Sequence, residues 1–359
     1  VIHMRHLDLI KELTQAGGIA GFESRIADII ETRMRGFANI SKDNLGSVIC
    51  EKKGGGTPKI MLPGHMDEIG FMAGTITKDG FIKFFPIGGW WDHVLLSQKV
   101  IIQTKKGDIK GILTGAKPPH IMDAKEREKI VDKKEMYIDI GATSKENAME
   151  MGVHPGDPIV PDTTFEVYPN NMLLAKALDD RIGCALFINL IQALQCATHP
   201  NTVYGVGTAQ EEVGLRGAMT SANIIKPDIC ITLEVFVPTD TPGLEKENWE
   251  CRLGAGPVLG LADSSIIGNR YLIDLIIDIA QKEDIPLQLC FLFGGGTDGG
   301  VIQKIGPGVP TVVMGVPARY IHTHYGMINY EDYERTLKLL VALVKSLDEE
   351  TVERVKKGY

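Results

Sequence analysis

This chain of 359 residues has no apolar run approaching the roughly 18 residues of a membrane span. Its opening stretch, VIHMRHLDLIKEL, lacks the apolar core of a secretory leader. Met4 reads as the natural start and the cytoplasm as the expected compartment. Cysteine is sparse: Cys50, Cys184, Cys196, Cys230, Cys251 and Cys290, with no CxxC pair. That spacing excludes a zinc knuckle and a disulfide framework. The thiols are expected to be free and buried. Basic blocks are also missing, and the net charge of −8 comes from interspersed charges of both signs, so a nucleic-acid partner is not expected. Repeats and low-complexity segments are absent. The glycine-rich run Gly294–Gly300 (GGGTDGG) lacks both the GxGxxG spacing and the Lys-Ser/Thr of a phosphate loop. Its glycines are expected to allow a tight turn and the close approach of a substrate backbone.

The pattern that remains is α/β. Helical spacing covers 5–15 and 23–35, the second carrying Ile26, Ile29, Ile30 and Met34 on one face. Residues 181–194 (RIGCALFINLIQAL) are apolar almost all round, as in a buried helix. Strands are predicted near 202–208, 228–234, 286–292 and 310–315, alternating with helices. This alternation implies a mostly parallel, mixed sheet covered by helices. The last helix starts at Asn329, with Asp332 placed for a capping box. Between about 72 and 164 the texture changes to short β-like runs separated by turns such as TKDGF and TKKGD. A small inserted barrel or sandwich is expected there, leaving 1–71 and 165–359 as a discontinuous catalytic domain. Within the insert, Asp123–Lys134 reads as an exposed loop or short helix. If Trp90 and Trp91 lie on an extended segment they face opposite ways, one to a core and one to an interface, or both are simply packed.

Acid and imidazole clusters fall where buried strands should end. These are His65-Met66-Asp67, Glu211-Glu212, Glu234 and His322-Thr323-His324, with Asp179-Asp180 ahead of the apolar helix. Ligand-binding groups gather beyond the carboxyl ends of parallel strands, and carboxylates plus imidazoles there suit one or two divalent metals. The residues therefore point to a metal-dependent hydrolase. In an extended chain His65 and Asp67 share a side, so Asp67 is placed to accept the second ring N–H of His65. Either Asp179 or Asp180 can bridge two metals, while the other caps the helix or pairs with Arg181. Adjacent Glu211 and Glu212 diverge, so one can bind a metal while its neighbour serves as a base whose proton affinity the other raises. Glu234 follows an apolar strand and needs a partner. Of His322 and His324, one is expected on the metal and the other near substrate. Asp298 is a candidate for substrate binding or for turn formation.

GHMDEIGFM, KALDDRIGC, AQEEVGLRGA, DTPG, GGGTDGG and RYIHTH occur here in one order over essentially the whole chain. In this the sequence resembles the M42 family of glutamyl-aminopeptidase-like enzymes, which also includes chains labelled cellulase or endoglucanase. The resemblance implies a two-metal aminopeptidase fold with an inserted β-domain, acting on short peptides. It implies that His65, Asp179 and Glu234 hold one zinc or cobalt ion. Asp179, Glu212 and His322 would hold the other, with Asp67 orienting His65 and Glu211 as the base. Family members often read Asp-Asn-Arg at 179–181, which makes Asp179 the bridge. They usually carry Asp where this chain has Glu234, whose extra methylene shifts the carboxylate by roughly 1 Å. That departure keeps a deacylase or other amidase open, and the family's labels prompt a β-glucan hydrolase as a further alternative. The resemblance also implies self-association, often into a twelve-subunit shell, with the inserted domain as the contact.

Overall fold

The computed structural model describes residues 4–115, 117–244, 249–292 and 294–358. At its centre, strands Thr202–Thr208, Lys59–His65, Ile229–Phe236 and Thr311–Arg319 run side by side and parallel. Both faces of these strands are covered, so they read as nearly continuous buried runs, not alternating ones. Among the described residues they form the middle of an eleven-stranded mixed sheet with antiparallel strands at its margins. The register places Thr208 beside His65 and Glu234 beside Gly315. Three chemically important strand ends thus arrive at one edge.

The helix Leu178–Ala193 lies against this sheet and is buried on nearly every side. It can approach closely because residue 64 is glycine. A Cβ there would come within 2.8 Å of the Cys184 backbone nitrogen. On the opposite face, Ala218, Ala222 and Ile225 of the Arg216–Ile225 helix pack on Met61, Val206 and Cys230. Tyr330–Ser346 docks through Tyr333, Leu337, Leu340 and Val344. Its cap differs from the expected box. Asn329 Oδ1 accepts from Glu331 N at 2.8 Å, but Asp332 turns away and accepts from the amides of Gly254 and Gly256 at 2.6 and 2.7 Å. A buried carboxylate gains more from two amides of a distant loop than from one at its own helix start.

Six antiparallel strands between Gly70 and Pro161 close into a barrel, not a sandwich. Phe71, Ile82, Val100, Ile102, Leu113, Ile138 and Ile159 fill it. Trp90 is buried and donates its indole N–H to Gly70 O at 2.9 Å, whereas Trp91 is 63% exposed. Asp123 and Glu126 form a capping box around a single helical turn, Ala124–Arg127. All six cysteines are free; five are buried and Cys196 is exposed. Among the described residues, no helix is long and apolar enough to cross a membrane.

Candidate active site

His65 ends its strand and is 2% exposed. Its Nδ1–H donates to the carbonyl oxygen of Asp67 at 2.9 Å, which turns Nε2 toward Asp179 Oδ1, also 2.9 Å away. The orienting atom is therefore the Asp67 backbone oxygen and not the expected carboxylate, which lies 3.6 Å from Nδ1. That carboxylate is used elsewhere. Its two oxygens accept from the amides of Glu211 and Glu212 at 2.9 and 3.0 Å. Asp67 is fully buried and fixes where this pair of acids leaves the sheet.

Asp179 and Asp180 are joined by a cis peptide bond and point apart. Asp179 faces both imidazoles, lying 2.9 Å from His65 Nε2 and 3.5 Å from His322 Nε2. Asp180 turns inward, accepting from Gly183 N at 2.9 Å and from His65 N at 3.0 Å. It caps the helix and clamps the end of the neighbouring strand. Arg181 pairs with Glu68, not with Asp180. His322 donates from Nδ1 to the carbonyl of Gly89, which belongs to the inserted segment, at 2.8 Å. Its Nε2 then faces Glu212 Oε1 at 3.5 Å as well as Asp179. A backbone carbonyl on one ring nitrogen fixes the tautomer and presents the other for ligation.

Among the described residues, three groupings have ligand atoms within 4.8 Å of one another: His65–Asp179–Glu234, Asp179–Glu212–His322 and His65–Glu211–Glu212. Their electrostatics are those of a site suited to cations. Burial, then repulsion from Asp179, pushes Glu212 up to about 7. Burial, then Asp180 and Asp179, raises Glu234 well above the usual carboxylate range. Glu211 is raised chiefly by burial, with Asp298 and Glu212 adding to it against His65. Asp179 is lowered because His322 and His65 outweigh its own burial. For His322, burial works downward, yet Asp179 and Glu212 carry it to about 9.

These groups line one side of a cleft of about 480 Å³ beyond the strand ends, with the glycine-rich loop opposite. Asp298 and His324 do not line that cleft. Asp298 lies behind the loop, accepting from Thr208 Oγ1 at 2.6 Å. His324 is 3% exposed, and its ring centroid lies 5.2 Å from that of Trp90.

Sequence reasoning missed the polar scaffold behind the cluster. Lys176 donates to both oxygens of Glu68 at 2.6 and 2.8 Å, and burial lowers its pKa to about 8. Arg181 donates to Glu68 and to four backbone carbonyls. The available signal was two basic residues flanking Asp179-Asp180 in an otherwise apolar stretch.

A parallel sheet with a convergent acid–imidazole cluster beyond its strand ends and a barrel beside it defines an α/β hydrolytic enzyme. The chain matches the M42 glutamyl aminopeptidase family over residues 46–339 and belongs to that family. It is 34% identical to the lysyl aminopeptidase of Pyrococcus furiosus over 95% of this chain and 97% of that one. The solved TET aminopeptidase of a marine sediment thaumarchaeote superposes with a TM-score of 0.95 at 44% identity, covering 98% of this chain and 99% of that one. The Pyrococcus horikoshii TET1 peptidase, which assembles into a tetrahedron or a large octahedral shell, superposes at 0.85 with 33% identity, covering 95% and 100%. The chain is a peptide hydrolase of the aminopeptidase type. All three of these relatives are described as peptidases and none as a glucanase or deacylase.

Proposed function

We propose that this chain is a two-metal aminopeptidase that removes the first residue of short peptides, with Glu211 as its general base. The observation that carries the proposal is the pair of ligand triads sharing Asp179. His65, Asp179 and Glu234 would hold one divalent cation, and Asp179, Glu212 and His322 the other. The donors fit cations, because buried, mutually repelling carboxylates stand beside imidazoles whose Nδ1 atoms are already engaged. Mixed imidazole and carboxylate ligation suits zinc or cobalt. Such cations supply Lewis acidity toward a carbonyl oxygen and lower the pKa of water. Glu211 stands outside both triads, with Oε2 3.8 Å from His65 Nε2. It accepts the proton of the attacking water and returns it to the departing amine. Asp67 holds the Glu211 and Glu212 backbone in register during this transfer. The cluster's carboxylates would engage the free α-amine of the substrate, which limits cleavage to the first residue.

The test is hydrolysis of amino-acyl p-nitroanilides and their N-acetylated counterparts, after chelation and after adding back zinc, cobalt or manganese. Chelated protein should be inactive, and metal should restore cleavage of the free-amine substrates alone. Full activity after exhaustive chelation would sink the two-metal reading. Cleavage confined to acylated substrates would make the enzyme a deacylase.

We further infer that residues 1–71 and 165–359 form the catalytic domain and that 72–164 form an assembly domain. Exposed apolar side chains of the inserted segment support this: Phe85, Trp91, Ile121 and Ile130 are each more than half exposed. Large exposed apolar side chains are the ones an assembly interface would cover. Light scattering at micromolar concentration should give the mass of twelve chains, and a monomer would contradict the assignment.

A further inference from the structure

We propose that the cleft selects peptides whose N-terminal side chain is uncharged and apolar, of about the size of leucine or methionine. This rests on the aminopeptidase reading and specifies its substrate class. Beyond the acids and imidazoles, the described residues that line the cleft include Leu215, Val237, Leu292 and Ile321, with the buried Val235 of the adjoining strand and with Thr297 as the polar exception. Thr297 is 1% exposed, and its hydroxyl already donates to Asp263 Oδ2 at 2.8 Å. The other described lining residues are Gly294–Gly296 and Gly89, which add no side chain to the wall. A Cβ at Gly295 would stand in ordinary contact with Leu292, at 3.6 Å.

The charges present sharpen the choice. No lysine or arginine is among the described lining residues, and every lining acid belongs to the cluster. A glutamate side chain entering here would find no basic side chain among the described lining residues to receive its carboxylate. A lysine ammonium would be desolvated against valine, leucine and isoleucine, and the described carboxylates in reach are the proposed metal ligands and Glu211, the proposed base. An apolar side chain meets neither cost and removes its own surface from water.

The experiment compares kcat/KM for the p-nitroanilides of leucine, methionine, glutamate and lysine on the metal-loaded enzyme, wild type and Val237→Arg. Val237 is 45% exposed, so a long basic side chain can be accommodated there without entering the core. Wild type should favour leucine and methionine over glutamate and lysine by about 100-fold or more, since an apolar pocket rejects even one added hydroxyl by about that factor. Val237→Arg should reverse part of that, moving the leucine-to-glutamate ratio by about tenfold or more toward glutamate. A wild-type preference for glutamate or lysine overturns the proposal, as does a leucine-to-glutamate ratio unchanged in the folded variant. If no free-amine substrate turns over while acylated ones do, the aminopeptidase reading itself has failed. A reversed preference with good turnover would overturn only the specificity.

Discussion

Glu211→Gln should lower kcat by about 100- to 10,000-fold, the contribution typical of a positioned general base, while leaving two metal ions per chain. Glutamine has nearly the same shape and keeps the backbone amide that donates to Asp67. It cannot take up a proton. The wild-type residue is well placed for that task, since burial raises its proton affinity and the carboxylates of Asp298, Glu212 and Asp67 raise it further. The same group is lost both as base toward water and as acid toward the leaving amine, so no other step compensates. The geometry also offers a rival assignment, because Glu211 lies within ligand distance of His65 and Glu212. Metal analysis by mass spectrometry on the purified variant separates the two. An inactive protein with full metal content supports the base. Loss of a metal ion makes Glu211 a ligand, and retained activity with normal metal content removes it from the mechanism.

Arg181→Met should destabilise the fold by about 3–5 kcal/mol, the usual cost of removing one partner from a buried charged network. Arg181 is fully buried. An arginine has five N–H donors, and here they meet Met66 O at 2.6 Å, Leu13 O at 2.5 Å, Ala16 O at 2.8 Å, Gly18 O at 3.2 Å and Glu68 Oε1 at 3.3 Å. Methionine fills much of the volume but takes the guanidinium donors from those carbonyls and leaves Glu68 with Lys176 and the Gly18 amide. The acceptors come from the end of the Leu7–Gln15 helix, the turn after it and the segment following His65. Loosening them also loosens the ground on which Asp67 stands. The shift in urea midpoint at constant slope measures the effect. A change below about 1 kcal/mol would show that water or a rearranged Lys176 satisfies the carbonyls.

The parallel strands and the covering helices were legible because burial on two faces writes uninterrupted apolar runs, which end abruptly at His65 and near Glu234. Legibility failed where a partner comes from far along the chain. Nothing within GHMDE says that the Asp67 carboxylate will bind the Glu211 and Glu212 amides while its carbonyl takes His65. Likewise, the spacing of Asn329 and Asp332 carries no trace of Gly254 and Gly256. His322 and His324 look equivalent in RYIHTH, yet one faces the cleft and the other packs beside Trp90. Which imidazole is free depends on how the barrel lies against the sheet, and short motifs do not encode that. The apolar character of the cleft wall was hidden for the same reason, since Leu215, Val237, Leu292 and Ile321 come from four separate segments.

The Gly89 carbonyl that receives the His322 N–H belongs to the barrel and not to the sheet that carries the other site residues. The two folding units therefore share custody of one imidazole. Transplanting the barrel between enzymes would exchange a hydrogen-bond partner of the site along with the barrel itself. Gly89, beside the buried Trp90, is where the inserted segment touches the ring that faces Asp179 and Glu212.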